Sequence, residues 1–177
     1  MSTTQELILI DKQAQKMHNT NNNMKQIEEY FGYINNFSEL GNLGLKLQII
    51  KKNSMPNYLH GYILSTCLKE YISKNTNSDN YTILETGTAR GFSSMVMSHV
   101  LNDNSKNATI HTCDLISNIT KQYNNCYLSK ELNKKVSVMD CLEEWKELRD
   151  KYIKFYIGDS KRSMNNMNLD RIHFAFL

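Results

Sequence analysis

The pattern of apolar and polar positions divides residues 55–177 into segments that alternate between strand-like and helix-like periodicity. Short apolar and β-branched runs, typical of strands, occur at 81–85, 108–114, 153–157 and 171–177. The segments between and before them predict helices at 57–73, 92–100, 123–132 and 160–168, and one more helix opened by a capping box of Asp140 and Glu143. This alternation predicts an α/β fold in which a mostly parallel sheet carries helices on both faces.

The strand patterns also predict different degrees of burial. In 153–157, apolar residues alternate with Lys154 and Tyr156, which indicates a strand less deeply covered than its neighbours. The run at 171–177 ends in an apolar tail, which favours a central strand buried on both faces. Pro56 suits the first turn of the helix at 57–73 because its φ angle is fixed.

Residues 1–54 lack this alternation and predict a helical N-terminal extension, with the α/β domain at 55–177. The polar stretch at 19–23 predicts a loop, and residues 26–52 predict short helices. Gly32, Gly41 and Gly44 are the expected helix breakers there.

Composition and charge exclude several classes of partner. The chain has 177 residues, 40% hydrophobic and 22% charged, which fits one globular domain. The net charge of +3 is small and lysine pairs such as Lys51–Lys52 and Lys134–Lys135 are isolated, so we expect no nucleic-acid partner. No segment approaches the roughly 20 apolar residues of a membrane span, and the N-terminus has no basic start typical of a signal peptide.

The cysteines and histidines show no metal-binding spacing. The four cysteines contain no C-x-x-C pair, so we expect reduced, mostly buried thiols in a cytoplasmic protein. The five histidines are scattered, and we expect no metal site from the residues present. His60, His99 and His111 fall within predicted helices or strands and are interpreted as structural.

Candidate chemistry concentrates where the first predicted strand ends, in the stretch ETGTARGFSS at 85–94. Gly87 and Gly91 allow a tight turn and close approach of a ligand to the backbone, and the start of a helix favours an anion. Glu85 disfavours a phosphate and suits an amine, so the two ends of the bend together suit an amino-acid group. The dinucleotide pattern G-x-G-x-x-G is absent.

Two further strand ends extend this hypothesis to a nucleoside. Asp114 ends the second strand, where a carboxylate can accept both hydroxyls of a ribose. Asp159 and Ser160 follow the third strand, within reach of the exocyclic amine of a base. An amino-acid group, a ribose and a base describe S-adenosylmethionine. Simpler interpretations stay open: turn glycines, a solvated strand end at Asp114, and a helix cap at Asp159.

The stretch E-T-G-T-A-R-G-F-S at 85–93 resembles the first motif of class I S-adenosylmethionine-dependent methyltransferases. It is most similar to the branch with E-x-G-x-x-x-G-x-S, which includes catechol O-methyltransferase-like enzymes and other small-molecule methyltransferases. The similarity continues through C-D-L at 113–115 and I-G-D-S at 157–160 to R-I-H-F-A-F-L at 171–177. It implies a Rossmann-like three-layer sandwich, S-adenosylmethionine as cofactor, and methyl transfer to an oxygen atom of a small molecule.

The resemblance also implies a role for each matching position. The methionine and ribose side of the cofactor would be lined by Glu85, Gly87 and Thr88. The methionine carboxylate would be held by Gly91 and Ser93. Asp114 would take the ribose hydroxyls, Leu115 would lie against the adenine, and Asp159 and Ser160 would border it. No residue is assigned as a general base.

One departure from the family pattern concerns the end of the sequence. The family's strand order is 3-2-1-4-5-7-6, and an acid, often a metal ligand, follows the fourth strand. Here the fourth strand ends at Leu177, so that acid and the last three strands of the family fold are absent. We therefore expect a truncated chain, inactive alone, whose last strand is covered by a partner chain or a second copy. A divalent metal is expected only where the missing C-terminal part is present.

Two other functions remain as alternatives. An NAD-binding oxidoreductase of the same fold class would also place an acid at Asp114. A non-catalytic remnant could bind a cofactor or use its open strand to pair with another sheet.

Overall fold

Four strands form one sheet in the computed structural model, which describes residues 3–19, 22–50, 59–76 and 80–177. The strands are β1 (Tyr81–Thr86), β2 (Ala108–Asp114), β3 (Ile153–Ile157) and β4 (Phe174–Phe176). Their order is β3-β2-β1-β4, and every pairing is parallel. The predicted α/β fold with a Rossmann-like parallel sheet is confirmed.

Helices occupy most of the remaining described chain. In chain order they are α1 (Thr3–Asn19), α2 (Asn22–Phe31), α3 (Leu40–Leu43), α4 (Leu59–Lys74), α5 (Phe92–Asp103), α6 (Tyr127–Glu131), α7 (Val138–Cys141), α8 (Lys146–Tyr152) and α9 (Ser160–Asn166). A π-helical turn (Gly44–Gln48) follows α3, and a 3₁₀ turn (Glu143–Trp145) precedes α8. None of the described helices is long and apolar enough to cross a membrane.

The two faces of the sheet carry cores of different size. Side chains alternate along a strand, so Tyr81 and Ile83 of β1 enter the main core, where α4, α5 and α8 pack together. Leu84 faces the opposite side and packs with Cys113 and with Met167, next to α9. Helices therefore lie on both faces, as a three-layer sandwich requires.

Helix α5 is more deeply buried than its sequence pattern predicts. Its apolar stripe predicted one inward face, but Met97 and Leu101, off that stripe, are also buried, and so are Ser93, Ser94 and Ser98. The reason is that α5 is enclosed by the sheet on one side and by α4 and α8 on others. The prediction of a simple amphipathic helix is wrong for this element.

Two other helix predictions need correction. The capping box joins Ser137 to Asp140 and opens α7, so Asp140 is the third residue of the helix rather than its cap. Ser137 is the cap because its hydroxyl accepts from the Asp140 N–H, while the Asp140 carboxylate accepts from the Ser137 N–H. The helix predicted at 123–132 is shortened to α6, because Tyr123 forms a β-bridge with Val136 instead.

Of the two edge strands, one has the burial that its sequence pattern predicts and the other does not. β3 is exposed at Lys154 and Ile157 and lies at one edge of the sheet, which confirms its predicted lighter covering. β4 lies at the other edge, with Phe174 and Phe176 half-buried and Ala175 exposed. The prediction that this strand is central and buried on both faces is wrong in this structure, because only β1 pairs with it among the described residues.

The N-terminal segment packs into the main core. Leu7 and Ala14 of α1 and Met24 of α2 join the same buried cluster as Ile83. Gly32 ends α2 with φ of +77°, as predicted, whereas Gly41 and Gly44 lie inside helical turns and are not breakers. The boundary at residue 54, Pro56 and the Lys51–Lys52 pair lie outside the described residues, so the predicted domain division is untested.

Candidate functional site

A cleft of about 300 Å³ lies at the carboxyl ends of β1, β2 and β3. Its lining is contributed by the end of each strand and the residues that follow: Thr86, Gly87, Cys113, Asp114, Leu115, Gly158, Asp159 and Ser160. Backbone hydrogen bonds continue past the ends of the strands and hold these segments side by side. The Gly87 N–H donates to the Cys113 carbonyl (2.8 Å), and the Gly158 N–H donates to the Asp114 carbonyl (2.8 Å). This is the edge at which parallel α/β sheets bind ligands.

Asp114 is held in the cleft by two backbone donors. Its Oδ2 accepts from the Ala89 N–H at 2.9 Å, and its Oδ1 accepts from the Ile116 N–H at 3.2 Å. Ala89 adopts a left-handed conformation with φ of +46°, which is uncommon for a residue with a side chain and belongs to the bend that turns its N–H toward Asp114. Each carboxylate oxygen retains further acceptor capacity for a ligand hydroxyl.

The other wall of the cleft combines an exposed apolar residue with a helix start. Leu115 is 72% exposed although it lines the cleft, and Ile157, just before Gly158, is also exposed. Asp159 caps α9, where its Oδ1 accepts from the Arg162 N–H at 3.2 Å. The helix-cap interpretation of Asp159 is therefore confirmed, while Asp159 and exposed Ser160 also border the cleft.

The two glycines of the bend serve different purposes. Gly87 has φ of +82°, lines the cleft, and has no atom within 4 Å of the position that a Cβ would occupy. Gly91 has φ of +85° and precedes α5, and a Cβ there would lie 2.8 Å from Leu142 Cδ1. Gly87 thus leaves space at the cleft, and Gly91 leaves space for a core side chain.

Glu85 does not line the cleft. Its side chain lies on the same face of β1 as those of Tyr81 and Ile83, toward α5. It is fully buried and accepts hydrogen bonds from the Ser93 and Ser94 hydroxyls. Burial raises the pKa of Glu85, and hydrogen bonds from Ser93, Ser94 and Thr112 oppose that rise. The carboxyl therefore ties β1 to the first turn of α5.

The tip of the bend is fixed from outside the cleft. Arg90 Nε donates to the Leu47 carbonyl at 2.6 Å and a terminal nitrogen donates to that of Gln48 at 3.2 Å. The Arg90 guanidinium lies over the Tyr123 ring, whose hydroxyl donates to the Ala89 carbonyl at 2.7 Å. The π-helical turn and Tyr123 thus hold the backbone that orients Asp114.

Of the nine predicted cofactor-binding residues, five meet at the cleft and four do not. Those that line it are Gly87, Asp114, Leu115, Asp159 and Ser160. Glu85, Thr88, Gly91 and Ser93 lie beside it without lining it, and Thr88 is buried against Thr112, with 2.7 Å between the hydroxyl oxygens. Thr86, Cys113 and Gly158 line the cleft but were not predicted; each directly adjoins a predicted strand-end residue, which is the signal that could have found them.

The described residues contain no group of three or more metal-ligating side chains. His111 shares a 2.8 Å hydrogen bond with the Tyr156 hydroxyl, which confirms its structural interpretation. His60 packs against the rings of Phe92 and Phe176.

The sequence matches no protein-family model and no curated protein. Among solved structures, the chain is similar to the O-methyltransferase NovP with a TM-score of 0.47 and 14% identity, covering 96% of this chain and 70% of NovP. It is also similar to coclaurine N-methyltransferase bound to N-methylheliamine and SAH, with a TM-score of 0.30 and 11% identity, covering 88% of this chain and 40% of that chain. Both likenesses are too distant to assign a function.

Proposed function

We propose that the cleft binds the adenosine part of S-adenosylmethionine and that the chain is a methyltransferase acting on a small molecule, with O-methyl transfer as the reaction. The observation that carries this proposal is the pairing of Asp114, held by two backbone N–H groups, with the exposed side chain of Leu115 in one cleft. A carboxylate beside an exposed apolar surface suits a ribose diol joined to a planar base.

The residues present fit the nucleoside better than the amino-acid tail. Asp114 would accept the ribose hydroxyls, Leu115 would cover one face of the adenine, and Asp159 and Ser160 would stand near its exocyclic amine. The tail would pass over Gly87, where the space for a Cβ is empty. When bound, the cofactor would supply an electrophilic methyl group.

Glu85 fits poorly as a partner for the ammonium of the tail. Unlike Asp114, it is fully buried and does not line the cleft, and its raised pKa favours the neutral form. In this proposal Glu85 and Ser93 act by shaping the bend, and the ammonium is left to other groups.

The test is calorimetric titration of the purified chain with S-adenosylhomocysteine and, separately, with NADH. We expect binding of the first and a loss of about tenfold or more in Asp114→Ala, because a hydrogen bond to a charged group contributes about 1.5–3 kcal/mol. Asp150→Asn is the matched control, since Asp150 is exposed and pairs with Arg149 away from the cleft lining.

Other outcomes of these titrations would favour a different function or reject the site. Binding of NADH without binding of S-adenosylhomocysteine would favour the oxidoreductase, for which Asp114 is equally suitable. Absence of binding by either ligand to folded protein would reject the nucleoside site. Binding without methyl transfer across a panel of phenol and catechol acceptors would favour the non-catalytic alternative.

A further inference from the structure

Tyr123 lies outside the lining of the cleft, yet two successive hydrogen bonds connect it to Asp114. The Tyr123 hydroxyl donates to the Ala89 carbonyl at 2.7 Å, and the Ala89 N–H donates to Asp114 Oδ2 at 2.9 Å. Both hydrogen bonds are made by the backbone of the same residue. The conformation of Ala89 therefore determines how the position of the phenol affects the position of the carboxylate.

Ala89 requires support because of its backbone conformation. It lies in the left-handed region with φ of +46°, which a residue with a side chain rarely adopts unless surrounding contacts hold it there. The Gly91 N–H donates to the Thr88 carbonyl at 2.8 Å and closes a tight turn whose two central residues are Ala89 and Arg90. Ala89 itself is exposed, so core packing does not fix this end of the turn.

Tyr123 is held both at its backbone and at its ring. Its N–H donates to the Val136 carbonyl at 3.0 Å, its carbonyl accepts from the Val136 N–H at 2.9 Å, and Val136 is fully buried. The Arg90 guanidinium lies over the Tyr123 ring, 5.5 Å from its centroid. The phenol hydroxyl is therefore presented to the Ala89 carbonyl from a fixed position.

We infer that Tyr123 is a positioning residue that sets the selectivity of the cleft for ribose over 2′-deoxyribose. Its hydroxyl holds Ala89 in the left-handed turn, and the turn directs the Ala89 N–H at the Asp114 carboxylate. That carboxylate would accept the ribose hydroxyls, so its orientation decides how much the 2′-hydroxyl contributes to binding. This inference rests on the proposed nucleoside site and adds to it a residue that lies outside its lining.

The test is NMR titration of Tyr123→Phe and of the unchanged chain with adenosine and with 2′-deoxyadenosine. The variant keeps the ring beneath Arg90, and the Ala89 carbonyl that it leaves is at an exposed contact where water can donate instead. We expect the unchanged chain to prefer adenosine by about tenfold or more, as one hydrogen bond to a carboxylate would give. Tyr123→Phe should reduce that preference by about threefold to tenfold, whereas a merely structural role would weaken both nucleosides equally.

Two control variants isolate the route through Asp114. Tyr127→Phe makes the same chemical change at a half-buried tyrosine that does not line the cleft, and it should leave the preference unchanged. In an Asp114→Ala chain, adding Tyr123→Phe should alter adenosine affinity by less than about twofold, because the group through which Tyr123 acts is gone. Far-UV circular dichroism identifies the variants that fold, and Tyr123→Leu replaces Tyr123→Phe where the latter does not.

A measurement without ligand separates this inference from the proposed function. Exchange of the Ala89 amide with water, followed by NMR, should be faster in Tyr123→Phe by about threefold or more, while the Gly87 amide, which donates to the Cys113 carbonyl, should be unaffected. Unchanged Ala89 exchange, or equal losses of affinity for the two nucleosides, would overturn the inference. A chain that binds neither nucleoside would reject the proposed function and the ribose selectivity with it, and Ala89 exchange would still decide whether Tyr123 positions Asp114.

Discussion

Replacing Gly91 by alanine tests the packing that positions the start of α5. The new Cβ would adopt a left-handed backbone conformation and lie 2.8 and 3.0 Å from the two δ-methyl groups of Leu142. Leu142 has no exposed surface, and its Cγ also lies only 3.3 Å from that position, so rotating one methyl group does not relieve the contact. The substitution therefore combines backbone strain with overpacking.

The two contributions have different magnitudes. A left-handed conformation costs a residue with a side chain about 1–2 kcal/mol. Overpacking of a filled core costs about 1–3 kcal/mol more. Gly91→Ala should thus lower the free energy of unfolding by about 2–5 kcal/mol. Gly87→Ala should lower it by only about 1–2 kcal/mol, since Gly87 has a similar φ but open space around the added Cβ.

Urea unfolding followed by circular dichroism measures both variants on the same scale. Combining Gly91→Ala with Leu142→Ala completes a double-mutant cycle, which should show a favourable coupling of about 1–3 kcal/mol because the smaller side chain removes the clash. Equal losses in Gly91→Ala and Gly87→Ala, or a coupling near zero, would refute the role assigned to Leu142.

Three further predictions concern the same framework. Gly61→Ala, although alanine favours helices, should destabilise by about 1 kcal/mol because its Cβ would lie 2.7 Å from the Phe92 ring. Gly41→Ala should be neutral or stabilising in urea unfolding, because its Cβ would meet only Gln15 Nε2, at 4.0 Å. Because burial raises the pKa of Glu85, the contribution of this carboxyl to stability is greatest below its ordinary pKa of 4.5 and falls as the pH rises. Glu85→Gln lacks this loss, so urea unfolding at acid and at neutral pH should show that the stability of the variant relative to the unchanged chain rises with pH. Arg90→Lys should lose about 1–3 kcal/mol in thermal or urea unfolding, since one ammonium cannot reproduce the planar two-carbonyl contact, and an unchanged stability would contradict that contact.

The sheet and the location of the cleft could be predicted because they depend on local patterns. Strands β1, β2 and β3 are short apolar runs that end in, or are followed directly by, a polar residue or a glycine, and parallel strands end at one edge. Asp114 and the residues after β3 therefore meet in the cleft without any knowledge of side-chain packing. Strand depth was less predictable, because the apolar tail of β4 looks like a central strand while the structure places it at an edge.

Contacts between distant segments account for most of what the sequence could not predict. Gly87 and Gly91 look alike in sequence, and they differ only because Leu142 packs on one of them. The Arg90 contact with the π-helical turn has no local signal either. Glu85 is a different case, because its spacing of two residues from Ile83 already indicated that both side chains point to the same face. The missing fact was that α5 lies over that face.

The position of Glu85 changes what its motif implies about recognition. A carboxyl with no exposed surface and a raised pKa is a poor partner for an ammonium, since that contact requires a charged oxygen that faces the cleft. It is well suited to fixing the distance between β1 and α5, and that distance sets the course of the bend past Gly87. The acid and serine of E-x-G-x-x-x-G-x-S can therefore occur together for a structural reason. In this chain the proposed nucleoside site depends on Asp114 and Leu115, which line the cleft, rather than on the residue that begins the motif.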